Sequence, residues 1–161
     1  MVPDIQLVYF DGDKIYLDQI MLGDEVAVGS LSKIHEGFYK KEKIAAKILT
    51  QDTNEAIFDF KKEIFCMRFF SLKNSNISHL SSKYCIKLHA VVIDEKGLVL
   101  EFAHFGDLSK LLADKSFKMT WNFRTKIAQD ISRGLNYMHN MNPPFLHLDL
   151  KTPNILITSL I

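Results

Sequence analysis

Along this chain the apolar residues switch between alternation and a period of about 3.6, and each switch marks an element. Residues 7–10 and 14–17 are β-prone runs around Asp11-Gly12-Asp13. Asp-Gly between two such runs predicts a hairpin, because glycine accepts the positive φ of a tight turn. Residues 22–34, 36–39 and 43–49 then read as three antiparallel strands with turns at Gly29-Ser30 and Lys40-Lys41-Glu42. From Thr53 to Phe70 the spacing lengthens, with Ile57, Phe60, Ile64 and Met67 at helical steps and Phe58, Phe65 and Phe69 beside them. That is an amphipathic helix. Residues 71–83 are polar and aperiodic and predict a solvated loop. Residues 84–93 and 98–102 are two more strands around the turn Asp94-Glu95-Lys96-Gly97. The expectation is an α+β chain built on a five-stranded antiparallel sheet and one packed helix.

The remainder is helical and then irregular. Asp107 can cap a short helix carrying Leu108, Leu111 and Leu112. Thr120 can cap a longer one running to about residue 141, with Phe123, Ile127, Ile131, Leu135 and Met138 facing inward. Asn142-Pro143-Pro144 stops it, since proline disfavours helical geometry in the residue before it. Phe145 and Leu146 predict a short strand leading onward.

Composition narrows the class. The 161 residues are 47% apolar and 24% charged, the balance of a globular domain large enough for one core or two small lobes. A formal net charge of +1 gives no basic field for nucleic acid. Cys66 and Cys85 sit in apolar surroundings without metal-ligand spacing, which predicts buried free thiols. The sequence holds no apolar run long enough for a transmembrane helix and no signal pattern at its start. The expected location is the cytoplasm.

The candidate chemistry is concentrated in His147-Leu148-Asp149-Leu150-Lys151-Thr152-Pro153-Asn154-Ile155-Leu156. An aspartate, a lysine two residues on and an asparagine five residues on suit phosphoryl transfer. The Asp can orient a hydroxyl and accept its proton, the Lys can offset charge on the moving group, and the Asn oxygen can ligate Mg²⁺. This segment resembles the catalytic loop of the eukaryotic protein kinases, His-Arg-Asp-Leu-Lys-x-x-Asn. Further motifs follow the same family in order. Ile44-Ala45-Ala46-Lys47 resembles the Val-Ala-Ile-Lys strand, and Glu63 on the first helix resembles its C-helix partner. The segment Glu101-Phe102-Ala103-His104-Phe105-Gly106-Asp107-Leu108 resembles the hinge, and residues 130–139 resemble the E helix.

The resemblance, over residues 22–161, implies a kinase-like small lobe with its C helix, then the hinge and first helices of an incomplete large lobe. It implies ATP and Mg²⁺ as cofactors and a protein substrate. By resemblance Asp149, Lys151 and Asn154 are catalytic, with Asn154 on the metal, while Lys47 reaches the phosphates and Glu63 keeps it charged and aimed. Val26, Gly29, Ile34, Ala45, Leu100, Glu101, Ala103 and Leu156 fall at nucleotide-binding positions, the Glu101 carbonyl and Ala103 amide facing adenine. Lys151 is similar to serine/threonine kinases, and Asn-Pro-Pro with Lys-Thr-Pro-Asn is most similar to the tyrosine-kinase-like group. Residues 1–19 then form an extension that an upstream domain could precede, 20–103 the small lobe and hinge, and 104–161 part of the large lobe.

Three departures qualify this. In the glycine-rich pattern Gly-x-Gly-x-x-Gly-x-Val the chain offers Ala27, Gly29, Ser32 and Ile34, which implies a weaker phosphate grip. Leu148 replaces the Arg that commonly pairs with a phosphorylated activation loop, so any activity should not need that phosphorylation. The 161 residues end without an Asp-Phe-Gly, the family's main Mg²⁺ ligand, so these residues alone are not expected to be a competent kinase. The alternative is a kinase-like binding module or non-functional fragment without catalysis.

Overall fold

The three strands expected after residue 20 are β2 (Met21–Val28), β3 (Ser32–Tyr39) and β4 (Glu42–Leu49). The computed structural model describes residues 13–71 and 83–160 (backbone alone over 68–71). These form two units, 13–71 with 87–102 and 83–86 with 103–160. Lys40 and Lys41 close the β3–β4 turn with φ of 49° and 68°. Two successive left-handed residues match the twist of the strands they join, so the hairpin forms without a glycine.

In the first unit, β5 (Leu88–Val92) and β6 (Gly97–Glu101) complete the expected antiparallel set. A sixth strand, β1 (Asp13–Ile15), joins at the edge, giving the order β1-β5-β6-β4-β3-β2. It runs parallel to β5, with Asp13 opposite Ala90 and Ile15 opposite Val92. The strand ends at Ile15, two residues short of the expected Leu17, where a 3-10 turn (Leu17–Gln19) begins. Residues 7–10, the other half of the expected hairpin, lie outside the described residues, as do residues 72–82 of the expected loop and the Phe69 side chain.

Strand alternation sends successive β4 residues to opposite faces. Ile44 and Ala46 go to one core with Ile15, Ile20, Tyr39, Ala90, Val92 and Val99. On the other face Leu88, Val91 and Leu98, with Leu49 and Leu100, pack on Phe60, Ile64 and Met67 of α1 (Asn54–Ser71). Thr53 begins that helix, its Oγ1 accepting the Ala56 amide at 3.2 Å. Phe58 and Phe65 remain 45% and 41% exposed, so the buried stripe is narrower than the run of phenylalanines suggests.

Gly37 is needed where β3 passes β2. A Cβ there would lie 2.5 Å from the Met21 carbonyl oxygen, a backbone atom that cannot rotate away. Gly37→Ala is expected to lower stability by about 1–3 kcal/mol, the usual cost of overpacking, seen as a lower melting midpoint. An unchanged midpoint would mean that β2 yields freely.

In the second unit, α2 (Leu108–Ala113) is capped by Asp107, which accepts the Lys110 amide at 3.0 Å. Thr120 caps α3 (Trp121–His139) through the Phe123 amide at 3.2 Å. Leu108 and Leu111 are buried with Ile157, while Leu112 points outward at 48% exposure.

Two expectations fail here. The strand expected from residue 84 begins at Leu88. Tyr84 lies against α3 instead, where Gly134 leaves room: a Cβ on it would be 3.3 Å from the Tyr84 carbonyl oxygen. Phe145 and Leu146 form no strand, since the Phe145 amide donates to Met138 at 3.0 Å rather than to a neighbouring strand. Cys66 and Cys85 are free and partly buried, and burial pushes the Cys85 thiol up to about 11. Among the described residues no helix is long and apolar enough to cross a membrane.

Candidate functional site

The first unit gathers one cluster around Lys47. Alternation along β4 turns this residue toward α1, and the packing of Phe60 and Ile64 fixes the rotation of α1. Glu63, one residue before Ile64, is thereby brought to Lys47. The Lys47 Nζ donates to both carboxylate oxygens, at 2.8 and 2.6 Å. The two side chains are 29% and 33% exposed, so solvent screens the pair and its worth lies in placement more than in stability.

A pocket of about 290 Å³ opens beside this pair, lined by Gly29, Ser30, Leu31, Ser32, Lys47, Leu49, Ala56, Asp59, Phe60 and Glu63. The Gly29–Ser32 loop is shaped by two backbone bonds. The Gly29 amide donates to the Ser32 carbonyl at 2.7 Å, and the Leu31 carbonyl accepts from Thr50 at 3.1 Å. The Gly29 amide is thus engaged, whereas the Ser30 and Leu31 amides donate to no described residue. A Cβ on Gly29 would meet only ordinary 3.4 Å contacts with Ser32, so the loop's shape does not itself demand glycine.

The other predicted residues of this unit are not among those that line the pocket. Ile34 is directly opposite Lys47, and Ala45 is opposite Leu100. Val26 is 43% exposed on β2. Glu101 is tied to Lys87, donating its amide to the Lys87 carbonyl at 2.9 Å and accepting the Lys87 amide on Oε2 at 3.3 Å. Sequence reasoning overlooked Ser30 and Asp59 on the wall. Asp59 could have been found, because it stands four residues before Glu63 and so on the same helix face.

In the second unit, Asp149, Lys151 and Asn154 converge. Asp149 Oδ2 accepts from Lys151 Nζ at 2.9 Å and from Asn154 Nδ2 at 2.9 Å. Asn154 Nδ2 also donates to the Asp149 carbonyl at 2.8 Å, which fixes which side of the amide is nitrogen. The Asn154 Oδ1 meets no donor among the described residues and remains available as an oxygen ligand. A 3-10 turn at Thr152–Asn154, with Pro153 inside it, sets the spacing. Leu148 is 89% exposed with φ of 58°, a left-handed residue that lets the Asp149 amide fold back to the His147 carbonyl at 2.8 Å. Such φ values in residues other than glycine are costly and gather at functional sites.

The cluster is anchored through Leu156, which bridges to Asp107. The Ile157 amide donates to Gly106 at 2.8 Å and Leu108 to Ile155 at 2.8 Å. Gly106, at φ 66°, allows that turn. Ala103 accepts the Gly106 amide at 3.0 Å, and its own amide donates to no described residue.

Lys151, and to a smaller degree Asn154, hold the Asp149 carboxyl below the usual carboxylate range. Asp149 is thus ionised at neutral pH and able to accept a proton. Because the shift is downward, the stabilisation from this contact is present above the ordinary carboxylate pKa and is lost as pH falls through the lowered value. An NMR titration is expected to place the Asp149 midpoint below that of an unpaired aspartate, and Lys151→Met should raise it. A midpoint unmoved by that change would remove Lys151 as the cause.

Residues 20–160 match the profile of the family described as protein tyrosine and serine/threonine kinase. The chain is similar to the probable serine/threonine-protein kinase pats1 of Dictyostelium discoideum, at 29% identity over 99% of this chain and 5% of that protein. It is similar to cyclic GMP-binding protein C of the same organism, at 26% identity over 99% of this chain and 7% of that protein. The probable serine/threonine-protein kinase SIS8 of Arabidopsis thaliana matches at 31% identity over 89% of this chain and 13% of that protein. The chain therefore spans a small part of the length of the curated relatives it matches.

Proposed function

The chain belongs to the protein tyrosine and serine/threonine kinase family, and from that premise we propose that it is part of a kinase domain that transfers the ATP γ-phosphate to serine or threonine hydroxyls of proteins. The observation that carries this reading is the convergence of Asp149, Lys151 and Asn154, with the carboxylate held ionised. Asp149 orients the substrate hydroxyl and accepts its proton as the oxygen attacks phosphorus. Lys151 offsets charge on the transferred group, and Asn154 offers Oδ1 to Mg²⁺. When bound, the metal neutralises phosphate charge.

The residues of the first unit fit a polyphosphate. Lys47, aimed by Glu63, stands in the pocket wall, and the Ser30 and Leu31 amides are further donors. Val26, Ile34, Ala45 and Leu100 supply apolar contact for adenine. The Glu101 carbonyl supplies a backbone contact. Residues 20–103 would serve the nucleotide and 104–161 the catalytic loop. The Asn-Pro-Pro lead-in supports the tyrosine-kinase-like group, and the cytoplasm is the location that suits this reading.

The test is titration of ATP with and without Mg²⁺, followed by phosphotransfer to a Ser/Thr peptide mixture. Mg²⁺-dependent tightening supports the reading, while metal-independent or absent binding overturns it. One observation favours a second reading, a binding module without catalysis: Leu148 stands 89% exposed where a catalytic-loop arginine is usual. Tight nucleotide binding without turnover, in a chain carrying all the segments of its relatives, would favour that reading.

A further inference from the structure

The pocket beside Lys47 has an unexpected charge balance. Its lining holds one cation, Lys47, against two carboxylates, Glu63 and Asp59. Glu63 is committed to Lys47 through both oxygens, at 2.8 and 2.6 Å. The Asp59 carboxylate makes no hydrogen bond or ion pair with any described residue, and Asp59 is exposed on the pocket side of α1. The wall is therefore net negative. An apolar floor of Leu49, Ala56 and Phe60 does nothing to shield it.

Resting on the nucleotide reading above, we infer that Asp59 is a specificity-determining residue that biases this pocket toward metal-bound polyphosphate and against the metal-free form. Lys47 attracts the phosphates in either form, but its charge is largely answered by Glu63. The carboxylate of Asp59 then repels whatever negative charge enters. A metal-free triphosphate carries about twice the negative charge of its magnesium complex, so repulsion falls mainly on the former. Asp59 lies one helical turn from Glu63, and the two like charges also repel each other along α1. Neutralising Asp59 relieves both effects without touching the Lys47–Glu63 contact.

The test titrates ATP into the whole chain in EDTA and in Mg²⁺, at low and high salt. It compares the natural protein with Asp59→Asn and Asp59→Glu. Asp59→Asn is expected to tighten metal-free binding at least about fivefold, from Coulomb's law across a partly screened pocket, and to tighten binding with Mg²⁺ less. The difference should shrink at high salt, and Asp59→Glu should keep the natural metal dependence. A merely structural role would shift both forms equally. Equal shifts, or none, with ATP binding in Mg²⁺ intact, overturn the role of Asp59 and leave the nucleotide reading standing. No binding in any protein or condition overturns both.

Discussion

Ile15→Asp is expected to unfold the first unit. Ile15 is 4% exposed and packs with Ile20, Tyr39, Ile44, Val92 and Val99 on the face of the sheet away from α1. Aspartate there forfeits the burial of a large aliphatic side chain, worth about 2–4 kcal/mol, and places a carboxylate with no partner in the core. Against a typical total stability of about 5–15 kcal/mol this is enough to populate the unfolded state. The segment is held at both ends. Asp13 pairs with Lys40 and accepts the Tyr39 hydroxyl at 2.9 Å, and Asp94 accepts the Leu17 amide at 3.1 and 3.2 Å. Asp94→Asn, which weakens an exposed contact only, should cost about 1 kcal/mol. The family match begins at residue 20, so a domain cut there would remove β1 and open the same core. Thermal melting of Ile15→Asp, Asp94→Asn and a chain starting at residue 20 checks this. A native-like midpoint for Ile15→Asp would show that residues 13–19 are dispensable.

That edge strand also marks where sequence reasoning stopped. The Asp-Gly signal at residues 11–12 pointed to a local hairpin, since turn chemistry is legible within a few residues. Among the described residues β1 pairs with β5, in parallel, with Asp13 opposite Ala90, and no local pattern encodes a pairing so distant in sequence. The five antiparallel strands, α1 and α3 were legible, because alternation, helical spacing and the Thr120 cap act over short range. Leu112, Phe58 and Phe65 are apolar yet lie exposed beside the buried stripes. Hydrophobicity alone does not say which side of a crowded helix meets the sheet.

The site divided along similar lines. The Asp149–Lys151–Asn154 group was legible from spacing, since a tight turn brings residues two and five apart together. The Lys47–Glu63 contact joins two elements and was reached through resemblance, then made by packing of Phe60 and Ile64. That the Ser30 and Leu31 amides donate to no described residue was not legible. It depends on the Gly29 amide turning to Ser32, a loop detail that residue identity does not dictate.

Lys47→Met should weaken ATP binding about 10- to 100-fold, the range expected for losing a charge-assisted contact. Methionine keeps the stem and removes the charge, leaving Glu63 and Asp59 with no cation beside them among the described residues of the pocket wall. Glu63→Gln should cost less, about 3- to 10-fold, because Lys47 keeps its charge and loses only its aim. Neither change should move the melting midpoint much, since the pair is 29% and 33% exposed and screened pairs contribute little to stability. The measurements are ATP titration in Mg²⁺ and thermal melting on the single and double variants. If Lys47 and Glu63 act as one device, the double variant should bind no worse than Lys47→Met, because an aiming residue has nothing left to aim. Fully additive losses would mean that Glu63 touches the ligand or the helix in its own right. A large fall in melting midpoint with unchanged binding would make the pair structural, and the phosphate-gripping role of Lys47 would then be lost.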